Sequence, residues 1–110
     1  MISPHVPSTV GRQVLRATRE RGSDGAEVEQ TEWLAGPGWA ALSVHHHDGD
    51  ERYEVLSGRV RVVVDGAGRT YRPGESVIVA AGRSHTLQPV EGHGIHVRVQ
   101  RWSPPAAPAH

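Results

Sequence analysis

Along the middle of the chain, apolar and polar residues alternate with a period of two. Val60, Val62 and Val64 fall on one face, with Arg59, Arg61 and Asp65 on the other. Ile95, Val97 and Val99 repeat the pattern against His96, Arg98 and Gln100. In an extended chain successive side chains point to opposite faces, so these runs predict half-buried strands whose valine stripes form the core. Glycines punctuate the chain at short intervals, and the pairs Asp65-Gly66 and Ser57-Gly58 have the composition of hairpin turns. The stretch 12–21 has too few apolar residues for an amphipathic helix, and it reads as helix, strand or extended arm. The remainder reads as about seven to nine short strands, which predicts an all-β sandwich or closed barrel of jelly-roll type.

The two ends fall outside this pattern. Residues 1–11 hold Pro4 and Pro7 and little hydrophobic pattern, and are expected to form a loose arm. Residues 103–110 hold three prolines, which cannot pair within a central strand, so an extended or disordered tail is expected there. The barrel is assigned to residues 12–102.

Composition narrows the function. A chain of 110 residues is one domain. A domain of this size buries roughly 60–65% of its unfolded surface, so the core is thin. Cysteine is absent, which removes disulfides and thiolate metal sites. Twelve basic residues, all arginine, balance twelve acidic ones. Such a balance lacks the basic footprint of a nucleic-acid partner, and the arginines read as solubilising charge. No apolar run approaches the roughly 20 residues of a membrane span, and the start of the chain lacks the apolar stretch of a signal peptide. A cytoplasmic protein is expected. Eight histidines stand against one methionine and no phenylalanine, so the placement of the histidines becomes the question.

Three of them are adjacent in Trp39-Ala40-Ala41-Leu42-Ser43-Val44-His45-His46-His47. In a strand, His45 and His47 share a face with Trp39 behind them, and His46 points outward. Asp48-Gly49-Asp50 turns the chain, and Glu51 opens a strand over 51–57 that can return antiparallel beside the first. If Glu51 faces inward, so do Tyr53 and Val55. The stretch from Gly74 to His85 reads as a buried strand, a glycine turn and a fourth candidate ligand. His45, His47, Glu51 and His85 together make an N/O donor set with open coordination positions. That set suits one divalent ion, with Fe, Mn, Ni, Co or Zn all compatible. A register using His46 would need a ligand at position 44, which is Val. Glu54 lies on the strand face opposite Glu51. His93 falls in a glycine-rich turn. Trp39 and Tyr53 sit on the ligand side of their strands, as cavity walls or as core. His96, with Arg98 and Gln100, lines the cavity if that face turns inward and is surface otherwise.

These two stretches resemble the two signature motifs of the cupin superfamily. The first runs Gly38, six residues, His45-x-His47, three residues, Glu51, six residues, Gly58. The second runs Gly74, five residues, Ala80-x-Gly82, two residues, His85, three residues, Pro89. Fifteen residues separate them. Ala80 stands where the family motif has proline, Pro89 where it has asparagine, and Gly38 lies one residue early. The resemblance implies a small single-domain barrel holding one divalent metal beside a small organic molecule. It implies an enzyme, either a Lewis-acid cyclase or isomerase of polyketide-like substrates or a dioxygenase. A non-catalytic sensor or regulatory module is the alternative it allows. It also implies a homodimer, because the N-terminal strand of many cupins pairs with a neighbour.

Overall fold

A computed structural model describes residues 12–105 of the chain. They form eight strands, β1 (Arg12–Arg21), β2 (Glu27–Ala35), β3 (Glu51–Gly58), β4 (Val60–Val64), β5 (Ala67–Tyr71), β6 (Ser76–Val79), β7 (His85–Pro89) and β8 (Ile95–Ser103). A five-stranded sheet runs in the order β1-β2-β8-β3-β6, and a three-stranded sheet in the order β5-β4-β7. All their pairings are antiparallel. The all-β class and the jelly-roll arrangement of two sheets are as expected. The arm expected over 1–11 lies outside the described residues, as does 106–110. Of the expected tail, Ser103 closes β8, and Pro104 and Pro105 follow as exposed residues outside the strand.

The alternation read from the sequence sets the inner faces. Val60 and Val62 on β4 and Ile95, Val97 and Val99 on β8 are buried, and Val64 packs partly buried against them. Trp33, Tyr53, Val55, Tyr71, Val79 and Leu87 complete a core held between the two sheets. Each fully buried valine or leucine contributes about 1.5–3 kcal/mol by leaving water. The outer face of the large sheet is polar and carries Glu32, Glu54, His96 and Arg98.

Asp65-Gly66 is the expected hairpin turn. Both residues have positive φ (49° and 84°), and β4 and β5 pair across it from Val64↔Ala67. Ser57-Gly58 is different. It carries the chain from the large sheet to the small one, and β3 pairs with β6 and β8 instead of β4. Gly58, at φ +79°, is pressed against Gly94, where a Cβ would stand 2.0 Å from the carbonyl oxygen. The stretch 12–21 is a strand, β1, paired along its length with β2 and exposed on the sheet edge. The buried strand expected after Gly74 is the short edge strand β6. Only Val79 is buried there, and Ile78 is 62% exposed because no neighbour among the described residues covers its outer face.

Candidate metal centre

The histidine stretch departs from its expected form. Residues 39–50 build no regular strand, and β3 does not return beside them. Ala40, Ala41, Ser43 and Val44 are exposed, so little apolar burial fixes a pleated register. The segment runs instead along β7, joined by Leu42 N–Leu87 O at 3.0 Å and by reciprocal bonds between His45 and His85 at 3.0 and 2.8 Å. It is a broken fourth strand of the small sheet. Glu51, on β3, belongs to the large sheet. The carboxylate thus meets the histidines across the gap between sheets, not as a hairpin neighbour.

The four side chains nevertheless converge. One ligating atom from each of His45, His47, Glu51 and His85 lies within 4.8 Å of the other three. Glu51 and His85 are 1% and 2% exposed, and His45 and His47 are half-buried. The imidazole centroids stand 4.3, 4.9 and 5.6 Å apart. Backbone carbonyls fix two of the rings. His45 Nδ1 donates to Ser43 O at 2.7 Å, and His85 Nδ1 donates to Arg83 O at 2.9 Å. With Nδ1 protonated, the neutral ring leaves Nε2 bare and turned to the cluster, the orientation a metal-ligating histidine needs.

Glu51 is held from several sides. Arg101, its cross-strand partner on β8, donates from Nε and Nη2 to Oε2 at 2.9 and 2.8 Å. Tyr53 donates its hydroxyl to Oε1. Burial alone would raise the Glu51 pKa, but hydrogen bonding by Tyr53 and Arg101, with the charge of Arg101, outweighs it and holds the carboxyl below its ordinary value. Burial and the neighbouring carboxylate push the Tyr53 phenol far above its ordinary value, so it stays protonated and donates. Burial lowers the His47 pKa, with Arg101, His45 and His85 acting in the same sense against Glu51. His47 is therefore neutral to a lower pH than a free imidazole.

Two details fit this donor set to a cation. His47 Nε2 is buried without a hydrogen-bond partner among the described residues, 3.6 Å from Glu51 Oε2. That distance is too long for a hydrogen bond, and an orphaned buried nitrogen is costly. His85 Nε2 lies 2.7 Å from Glu51 Oε1. With the ring neutral, two lone pairs face each other there, and a proton or a metal ion must stand between them. Imidazole nitrogens and one carboxylate suit a divalent first-row ion.

The remaining candidates part company. Tyr53 lines a cavity of about 380 Å³ beside the cluster, together with His45 and Glu51. Trp39 lies behind the site, 3% exposed and packed edge-on against Trp33 at 5.8 Å; Trp33 is the tryptophan in the cavity wall. His96 points away, its Nε2 on Glu32 at 2.8 Å on the outer face of the large sheet. His46 is exposed, and Glu54 pairs with Arg98 on that same outer face. Arg101 is the residue that sequence reasoning missed by treating every arginine as solubilising. The signal was present, since the alternation that turns Val97 and Val99 inward turns Arg101 inward as well. Arg12 also reaches the cavity, and no pattern in the chain marks it.

Comparison with known proteins agrees with this geometry. The family model of the cupin domain matches residues 32–98, a stretch that contains all four cluster residues. No functionally curated protein matches the chain. Among solved structures, the chain is similar to a conserved protein of unknown function from Streptococcus pyogenes, at 23% identity and a TM-score of 0.70, over 86% of this chain and 77% of that one. It is similar to a cupin 2 conserved barrel domain protein from Salinispora arenicola CNS-205, at 22% identity and a TM-score of 0.65, over 84% and 74% of the two chains. A structure of the DMSP lyases RdDddP and RnDddQII is similar at 25% identity and a TM-score of 0.61, over 69% of this chain but 38% of that one. Likeness at these identities carries the fold and not the activity. With the family model spanning more than half the chain, the protein belongs to the cupin domain family.

Proposed function

We propose that the protein is a metal-dependent enzyme acting on a small organic molecule in the cavity beside His45, His47, Glu51 and His85. The observation that carries this reading is the convergence of four ligating atoms around a buried, unpartnered His47 Nε2. When bound, a divalent ion there supplies Lewis-acid polarisation of a carbonyl or a site for dioxygen chemistry. The chain's own residues do the rest. Ser43 O and Arg83 O aim the rings of His45 and His85. Arg101 and Tyr53 orient Glu51 and keep it ionised. Val99, Leu42 and Trp33 give the cavity an apolar wall, and His45, Glu51 and Tyr53 line the same cavity. His96, engaged with Glu32 on the outer face, takes no part in proton movement in this reading.

The test is elemental analysis of untagged protein after metal-replete expression, followed by a turnover screen. About one equivalent of metal is expected in the wild type. His85→Ala and His45→Ala should lose most of it, and His46→Ala should keep it. Equal loss from His45→Ala and His46→Ala would show that the ligand register is wrong. Full metal without turnover of any substrate would favour a sensor module.

The same reading includes a cytoplasmic homodimer. The exposed edge strand β1, with Val14 61% and Leu15 44% exposed, supports pairing with a second copy. Sedimentation should give a dimer for the wild type and a monomer for Leu15→Glu.

A further inference from the structure

The cavity beside the cluster contains two guanidinium groups, and they are not equivalent. Arg101 is engaged with Glu51 through Nε and Nη2, and its Nη1 lies 3.7 Å from Glu29. Glu29, the second carboxylate of the cavity, also accepts from Arg19 at 2.8 Å. Arg12 pairs with no carboxylate among the described residues. Its guanidinium lies over the Trp33 ring, 5.2 Å from the centroid, at the wall of the same cavity. Stacking on an aromatic face holds the guanidinium plane while leaving its edge donors free. The apolar side chains of Val14, Leu42 and Val99 line the same cavity.

We propose that this cavity receives a small organic carboxylate, with the acid group on Arg12 and the apolar body against Val14, Leu42 and Val99. A fork of guanidinium donors matches a carboxylate in a bidentate way that a neutral group cannot reproduce. The charge balance points the same way. In the cavity the two arginines offset Glu29 and Glu51, so a divalent ion in the cluster leaves an excess of positive charge for a ligand to compensate. A volume of about 380 Å³ corresponds to roughly a dozen water volumes, which limits the ligand to about that number of non-hydrogen atoms. The charge argument rests on the metal reading, whereas the placement of Arg12 over Trp33 does not.

The experiment measures benzoate and benzamide binding through tryptophan fluorescence, in metal-loaded and chelator-treated protein, with metal content determined on the same samples. Benzoate is expected to bind roughly tenfold tighter than benzamide or better. Arg12→Gln should abolish that preference, and Arg12→Lys should keep part of it. Arg12 sits at the end of an edge strand, and an unchanged circular dichroism spectrum checks that each variant folds. Equal binding of the two probes, no benzoate binding, or a benzoate preference that survives Arg12→Gln overturns the proposal. An Arg12-dependent preference in metal-free protein that takes up no metal upholds it while removing the metal reading. Full metal loading without any preference does the reverse.

Discussion

Arg101 does two things to Glu51 at once: it fixes the orientation of Oε2 and holds the carboxyl below its ordinary pKa. Arg101→Gln should therefore lower metal affinity by about 10–100-fold, the usual effect of losing an outer partner of a ligand. It should also cost roughly 1–3 kcal/mol of apo-protein stability, because a buried carboxylate loses its main donors. Isothermal titration and urea unfolding check the two effects separately. The pH dependence follows from two depressed groups. His47 and Glu51 both have folded pKa values below their ordinary ones, so the unfolded chain binds more protons than the folded one. For His47 the stabilising contribution is complete above the ordinary imidazole value of about 6.5 and is lost as pH falls through the folded value. For Glu51 it is complete above the ordinary carboxyl value and is lost at lower pH still. The melting temperature of the apo-protein should thus fall on acidification from about pH 7 to pH 5, and less so in His47→Ala. An increase over that range would contradict the placement of His47.

At the scale of elements, the histidine-bearing segment depends on its neighbours for its shape. It is tied to β7 through Leu42 and His45, and the loop after it is tied to β8, where Trp102 N donates to Asp50 O at 2.9 Å. Gly49 lies flat against β8, and a Cβ built on it would stand 1.4 Å from Trp102 O. That contact is with backbone, which cannot swing aside. Gly49→Ala should push the loop off β8, weaken metal binding at least tenfold and lower the melting temperature, whereas Gly66→Asn, in an open turn that tolerates positive φ, should do neither. Metal titration of the two variants decides it. The sequence pattern shows which parts of this arrangement were legible. β4 and β8 were plain because their valines alternate, and the β4–β5 turn because Asp-Gly suits its dihedrals. The partner of Glu51 was not, because strand pairing across the molecule leaves no local trace. A hairpin was the simplest reading of His-x-His, a turn and Glu, and the chain takes the longer route between sheets. Arg101 lay in plain alternation, yet its charge argued for solvent, and only the register Glu51↔Arg101 resolves the conflict.

For the whole molecule, the fold class was readable because short alternating runs and glycine turns exclude helical alternatives. The cavity was less so, since Arg12, Trp33, Leu42 and Val99 come from separate segments with no common motif. Stability rests on a small core. Leu87, fully buried on β7 two residues after His85, faces that core. Leu87→Ala should cost about 2–5 kcal/mol in urea unfolding, and metal affinity should fall with it, because the same strand carries both residues.

His45, His47 and His85 come from the side of the small sheet and Glu51 from the large one. An ion gripped by all four would rivet one wall of the molecule to the other. Removing it with a chelator should therefore do more than silence chemistry. The walls would part more often, and a protease should cut the stripped protein several times faster than the loaded one, in proportion to how often it opens. A cell short of metal would then clear this protein sooner, so that supply of the ion governs how long each molecule lasts.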